Sequence, residues 1–221
     1  MWLLRLPGVY RPQADTWLLT RALREAHVGP GAHVLDLCTG TGAVAVSAAR
    51  LGARRVSAVD TSRRAVWSAR CNARLRGLPV RAQRRDVLAK PALGGFDVVL
   101  ANPPYVPRRP GGGSGSRSAR AWDAGPDGRR FVDLLCGAAP ALLAKGGTML
   151  MVHSSLCGVD GTLRSLRDAA LKASVVARSV EPFGPVLTER IDYLQEAGLI
   201  EPGQRHEELV VIRADRTERP R

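Results

Sequence analysis

Asn102-Pro103-Pro104-Tyr105 is the stretch of this sequence whose residue types speak most directly of chemistry. The residue before a proline is pushed to extended geometry, which fixes Asn102. Two consecutive prolines stiffen the turn and remove two N–H donors. What remains is a pair of acceptors, the Asn102 side-chain oxygen and the Pro103 carbonyl. Held in place, they can receive both hydrogens of one NH2 group. A planar NH2 nitrogen, in an amide or an aryl amine, is a poor nucleophile because its lone pair is delocalised. Hydrogen bonds drawing on both hydrogens orient it and return electron density to nitrogen. Positioning of this kind supplies about 7–11 kcal/mol of barrier reduction. Tyr105 can wall the pocket against a planar group. A strand followed by an ordinary proline turn would explain one proline but not this tetrapeptide.

A second constellation lies upstream. Asp36-Leu37-Cys38-Thr39-Gly40-Thr41-Gly42 falls at a strand-to-helix turn. Glycines there let the backbone approach a ligand, and the turn aims helix N–H groups at it. Asp60 ends the next strand, 20 residues after Gly40. That spacing suits a carboxylate accepting the two hydroxyls of a ribose. Asp86 follows the third strand, where an acid could accept from an adenine amino group. Thr61 and Val87 flank these two acids. The plainer alternative is that Asp60 and Asp86 merely cap strand ends. A nicotinamide dinucleotide is the rival ligand, but the turn lacks the third glycine of G-x-G-x-x-G.

The elements that must position these residues alternate. Strands are expected at His33–Leu37, Val56–Asp60, Val80–Arg84, Phe96–Ala101, Thr148–His153, Ser174–Val180 and His206–Ile212. Helices are expected over 42–50, from a cap at Thr61 or Ser62 to about Arg76, over 131–143 with a stop at Gly146-Gly147, and over 161–173. Short connections between them imply an α/β fold: a seven-stranded, mostly parallel sheet with helices on both faces. Residues 107–128 break the rhythm. With Gly111-Gly112-Gly113-Ser114-Gly115-Ser116 inside, they read as a long flexible loop facing the substrate. The expected layout is a cofactor-lid segment and helix over 1–30, one catalytic domain over 31–215, and a disordered tail over 216–221.

The chain has 221 residues, enough to bury one sizeable core. No apolar run approaches the roughly 20 residues of a membrane span. The start is too short for a signal-peptide core, so a cytoplasmic location is expected. Cys38, Cys71, Cys136 and Cys157 are scattered, which argues against a zinc site or a disulfide framework. The net charge is +13, yet only Lys90, Lys145 and Lys172 of the 33 basic residues are lysines. The charge permits nucleic-acid, ribosome or acidic-protein partners and does not choose among them.

Asp36 to Gly42, Asp60, Asp86 and Asn102 to Tyr105 together resemble the HemK-type protein-glutamine N5-methyltransferases, which modify class I translation release factors. The stretch from Val9 to Leu19 is similar to the opening segment of that family's compact eukaryotic and archaeal branch, with its pattern Tyr-x-Pro-x-x-Asp-Thr. The stretch 121–129 looks like that branch's loop. The resemblance implies a Rossmann-like class I methyltransferase using S-adenosylmethionine (SAM). It makes Asn102, Pro103 and Tyr105 catalytic. It makes Tyr10, Asp15, Thr16, Asp36, Cys38, Thr39, Gly40, Gly42, Asp60, Thr61, Asp86, Val87 and Asn102 cofactor contacts; no metal is implied. Asp15 could instead cap a helix beginning at Thr16. Cys38 stands where many members carry a glycine, so its backbone should adopt an angle that a non-glycine residue tolerates. Bacterial members carry a separate N-terminal docking domain, whereas 32 residues of this sequence precede the first expected strand at His33, and the Gly/Ser insertion is foreign to the branch.

The function expected is N5-methylation of a glutamine in a protein such as a release factor. Methylation of adenine N6 or guanine N2 in RNA or DNA would use the same tetrapeptide. Against it stand few aromatics (5%) for base stacking. A small-molecule N-methyltransferase is a third reading, and a non-catalytic SAM-binding scaffold a fourth. The compact branch often pairs with a small zinc-binding activator along the third strand. Arginines on Val80–Arg84 would discourage such pairing, so the chain is expected to be soluble alone.

Overall fold

The computed structural model describes residues 1–27, 29–86, 94–111 and 122–217. In chain order the elements are α1 (Ala14–Glu25), β1 (His33–Leu37), α2 (Ala43–Arg50), β2 (Arg55–Asp60), α3 (Arg63–Arg74), β3 (Val80–Arg84), β4 (Phe96–Ala101), α4 (Arg130–Leu142), β5 (Leu143–Ser154), a 3-10 turn (Ser155–Cys157), α5 (Val159–Asp168), β6 (Lys172–Pro182), α6 (Pro185–Thr188), α7 (Ile191–Glu196) and β7 (His206–Asp215). They build one seven-stranded sheet in the order β3-β2-β1-β4-β5-β7-β6. All pairs are parallel except those of β7, which runs antiparallel to β5 and β6.

Period-two alternation explains how the sheet is covered. Val34, Val56, Val98, Leu100, Leu150 and Val152 face one side, where α1, α2 and α3 pack. Leu35, Leu37, Val99, Met149 and Met151 face the other, under α4 and α5. Truncating one such side chain, Leu150 for instance, costs about 2–5 kcal/mol. The central strands are apolar runs because both faces are buried. The order reverses beside β1, so the carboxyl ends of β1, β2 and β4 open onto a crevice.

Several boundaries differ from the sequence reading, each for a local reason. Helix α4 ends at Leu142 and β5 starts at once, before Gly146-Gly147. The glycine pair lies inside the strand at a register shift. A Cβ on Gly147 would stand 2.8 Å from the Phe96 carbonyl oxygen, so glycine permits the close strand approach there. Helix α5 stops at Asp168, ahead of Ala173, because Ala170 turns to φ 60° and the chain enters β6. Helix α1 starts at Ala14 with Gln13 as its cap residue, so Asp15 lies inside the first turn and does not cap it. Ser62 does cap α3, its hydroxyl accepting from the Ala65 amide. Residues 184–200 had no assigned structure in the sequence reading. They form α6 and α7, whose Leu187 and Leu194 pack with Val106 and with Ile200, which follows α7, as a separate small core.

Candidate active site

The crevice is a cavity of about 940 Å³. Its lining brings the two sequence constellations together: 36–41, Asp60 and Thr61, Asp86, and 102–105, with Tyr10, Asp15 and Thr16 from the N-terminal segment. Val87 lies outside the described residues.

The β1–α2 turn uses positive φ at Cys38 (56°), Gly40 (53°) and Gly42 (81°). Cys38 thus takes the left-handed geometry a glycine would supply, at some cost in strain. The angle falls in the narrow left-handed range that a non-glycine residue tolerates, as expected. Gly42 is needed twice over, since a Cβ there would meet Ala69 Cβ at 2.9 Å. The turn is fastened to the next strand: the Gly40 amide donates to Asp60 Oδ2 at 3.0 Å and the Ser62 amide to Oδ1 at 2.8 Å. Burial raises the Asp60 carboxyl above its ordinary value, and these backbone donors oppose the rise. Asp36 is fully enclosed and accepts from Thr39 Oγ1 at 2.5 Å and the Ala45 amide at 3.1 Å. Desolvation pushes it up to about 7 despite both bonds.

The N-terminal segment crosses the cavity mouth on a rail. The Leu4 amide donates to Asn72 Oδ1 at 2.8 Å, and Asn72 Nδ2 donates to the Leu4 and Thr41 carbonyls. The Leu6 amide donates to Ser68 Oγ at 3.2 Å. Asn72 and Ser68 are completely buried on α3, and this is why a polar pair interrupts its apolar face. Downstream, four donors converge on Asp15: Tyr10 OH (2.8 Å) and Tyr105 OH (3.1 Å) on Oδ2, the Thr16 amide (2.5 Å) and Thr16 Oγ1 (3.0 Å) on Oδ1. Asn102 Nδ2 in turn donates to Thr16 Oγ1 at 3.4 Å.

At the far end, Cys157 Sγ donates to the Tyr105 carbonyl at 3.2 Å. Burial first, then the neighbouring Asp15, holds the Tyr105 phenol well above its usual range. The ends of the long loop are fastened together. The Val106 amide donates to the Trp122 carbonyl at 2.8 Å and the Ala124 amide to the Val106 carbonyl at 3.1 Å. Arg190 grips both arms, donating to the Pro107 carbonyl at 2.8 Å and to Asp123 at 2.6 Å. Residues 112–121, which hold most of the Gly/Ser stretch with Arg117 and Arg120, lie outside the described residues.

Three lining groups escaped the sequence reading. Thr41 is 2% exposed and its hydroxyl has no partner among the described residues. Its place between two glycines was a signal, but nothing local told whether it faced ligand or core. Glu207 on β7 lines the cavity with Oε2 buried and unpartnered. Burial pushes it up to about 7, with Asp15 and Glu181 adding to the rise. Phe183, Val186 and Leu187 add an apolar wall beside it.

The lining suits an adenosyl sulfonium. Asp60 and Asp86 could take the ribose and adenine edges, the orphaned Thr41 hydroxyl offers a further polar contact, and the acids favour a cation. Among the described residues no group of three or more His, Cys, Asp or Glu is placed to hold a metal ion. No helix among them is long and apolar enough to cross a membrane.

The chain is similar to several known proteins. Residues 1–111 match the family model described as Methyltransferase small domain. A Methanocaldococcus jannaschii protein, provisionally named a protein N5-glutamine methyltransferase, is 34% identical over 177 residues, covering 80% of this chain and 88% of its own. The chain spans about half the length of two further relatives. The 4-amino-L-phenylalanine/4-methylamino-L-phenylalanine methyltransferase of Streptomyces pristinaespiralis is 37% identical, over 67% of this chain and 55% of its own. The release factor glutamine methyltransferase of Mycolicibacterium smegmatis is 34% identical, over 66% and 54%. The same fold recurs in the E. cuniculi Mtq2-Trm112 complex, described as responsible for methylating the eRF1 termination factor, with a TM-score of 0.65, 21% identity, and 95% and 99% of the two chains covered. The chain therefore belongs to the methyltransferase small domain family, as a class I SAM-dependent N-methyltransferase related to the protein N5-glutamine methyltransferases.

Proposed function

We propose that the chain methylates the side-chain N5 of a glutamine in a protein, and that this glutamine is the one in the Gly-Gly-Gln tip of a translation release factor. The observation that carries the reading is the orientation of Asn102. Its Nδ2 is turned to Thr16, so Oδ1 is left to accept from an incoming NH2 group. The Pro103 carbonyl takes the second hydrogen and Tyr105 walls the planar amide. SAM supplies a methyl group on a positively charged sulfur. Asn102 Oδ1 and the Pro103 carbonyl would orient the glutamine nitrogen towards that methyl group by accepting both of its hydrogens. Tyr10, Asp36, Cys38, Thr39, Gly40, Asp60, Thr61 and Asp86, all on the cavity lining, would hold the cofactor end, while Gly42, packed against Ala69 and off that lining, would shape the turn. The names of the M. jannaschii and M. smegmatis relatives favour glutamine. The S. pristinaespiralis relative favours a second reading, a free aryl amine, which presents the same planar NH2.

The test incubates the enzyme and SAM separately with a recombinant release factor, with total RNA and DNA, and with 4-amino-L-phenylalanine. Mass spectrometry should find one added methyl group on the Gly-Gly-Gln glutamine. Label in nucleic acid or in the amino acid, beside an unmodified release factor, overturns the reading. The third strand lies at the sheet edge with Arg81 and Arg84 exposed, so we also propose that the chain is soluble by itself. Aggregation relieved only by co-expressing an activator would contradict that.

A further inference from the structure

The hydrogen bonds around Asp15 all run one way. Tyr10 OH, Tyr105 OH, the Thr16 amide and the Thr16 hydroxyl all donate to it. Thr16 has a single hydroxyl proton, and Asp15 Oδ1, 3.0 Å away, receives it. Thr16 Oγ1 can therefore only accept from Asn102, 3.4 Å away. An amide offered a pure acceptor must present its NH2 to it. The polarity set at Asp15 is thus passed through Thr16 to Asn102, and the Asn102 oxygen is forced to the opposite side. Among the described residues no protein donor reaches that oxygen, and Asn102 lines the cavity. Asp15 and Thr16 are 3% and 4% exposed, so water cannot easily reverse the chain.

We propose that Thr16 is a positioning residue for methyl transfer: with Asp15 it locks the flip state of the Asn102 amide, so that the site presents an oxygen acceptor and selects acceptors that carry NH2 hydrogens. This rests on Asn102 as the contact to the acceptor nitrogen, and it assigns Thr16 a task other than the cofactor contact that its motif suggests. An unlocked amide would spend part of its time with NH2 facing the substrate NH2, two donors in opposition. The penalty falls on reactive alignment, so it belongs in kcat more than in cofactor affinity.

The experiment compares Thr16→Val, Thr16→Ser and Asn102→Ala in the full chain, with a recombinant release factor as the methyl acceptor. Thr16→Val has the same shape and no hydroxyl. It should lower kcat about 10- to 100-fold, the scale of a small misplacement at a reacting centre. S-adenosylhomocysteine affinity should fall by clearly less than kcat does, and Thr16→Ser should restore most of kcat. Independently of turnover, the Asn102 side-chain NH2 signals in a 15N correlation spectrum of the S-adenosylhomocysteine complex should shift or broaden in Thr16→Val and return in Thr16→Ser. Weakened S-adenosylhomocysteine binding with kcat intact would make Thr16 a cofactor contact and overturn the proposal. Unchanged kcat and spectra in Thr16→Val, while Asn102→Ala is impaired, would also overturn it. Unimpaired Asn102→Ala would instead reject the reading of Asn102 itself.

Discussion

Tyr10 and Tyr105, far apart in the chain, donate to the same carboxylate oxygen, Asp15 Oδ2, at 2.8 and 3.1 Å. One tyrosine belongs to the N-terminal segment and the other to the Asn102–Tyr105 motif, so their shared partner ties that segment to Tyr105. Tyr10→Phe and Tyr105→Phe should each weaken SAM binding, since a bond to a charged acceptor is worth about 1.5–3 kcal/mol and part of it supports that segment. Because the two hydroxyls share one oxygen, the double variant should lose clearly less or more than the sum of the single losses. Calorimetry on the four proteins measures this; additivity within about 0.5 kcal/mol would show that the two tyrosines are independent.

Cofactor binding and methyl transfer should separate between Asp60 and Asn102. Asp60 is held by Gly40 and Ser62 at the β2 terminus, on the lining of the cavity. Asp60→Ala should cost about 1.5–3 kcal/mol of SAM affinity through loss of a charge-assisted contact. Asn102→Ala should leave SAM affinity nearly intact and lower turnover roughly 100- to 1000-fold, as for loss of one positioned polar group at a reacting centre. Titration with SAM and NAD, followed by single-turnover rates, checks both. Tight NAD binding, or normal turnover in Asn102→Ala, would defeat the assignment.

What the sequence disclosed follows from how locally each feature is encoded. The Asp36–Gly42 turn and Asp60 were legible because strand, glycine turn and terminal acid occupy a short span in fixed order. Seven strands were legible because buried runs and short connections repeat along the chain. The Tyr105–Asp15 bond was not, since it joins residues 90 positions apart. Glu207 reads as a routine charged residue at a strand start, and only the fold brings Phe183 and α6 to line the same cavity. Helices α6 and α7, four and six residues long, are too short to show a period. Gly146-Gly147 misled because a glycine pair marks a helix stop and a strand bulge equally well.

Gly128 should prove unexpectedly intolerant of alanine. It closes the long loop at φ 74°, where a Cβ would lie 2.3 Å from the Tyr105 carbonyl oxygen and 2.9 Å from Cys157 Sγ. Either Tyr105 or Cys157 must move, and the positive φ adds about 1 kcal/mol or more of strain. Gly128→Ala should lower the melting temperature and reduce turnover through Tyr105. Gly111→Ala, where a Cβ would meet nothing within 4 Å, separates this crowding from the cost of positive φ alone, since it shares φ 73°. Equal losses in the two variants would mean that crowding at Tyr105 is irrelevant.

His153 should impose an acid limit on stability. It is fully buried on β5, its Nδ1 lies 2.8 Å from the Ser154 carbonyl oxygen, and its Nε2 has no partner among the described residues. Burial first, opposed by the Ser154 contact and helped by nearby Arg129, lowers it from 6.5 to about 4. The folded protein therefore holds fewer protons here than the unfolded chain between those two values. The contribution is complete above pH 6.5 and is lost as pH falls towards 4. A shift of this size corresponds to roughly 3 kcal/mol at most. Asp36 and Glu207, both raised to about 7, act in the opposite sense: their stabilising effect is complete below about pH 4 and is lost as pH rises through 7. Bulk acid denaturation mixes these trends, so the comparison must isolate His153. Urea unfolding of wild type and His153→Leu across pH 4 to 8 does so, because the other groups cancel in the difference. The wild-type advantage should be largest above pH 6.5 and shrink by about 2–3 kcal/mol by pH 4. A difference that stays constant across that range would show that His153 does not titrate between the two states.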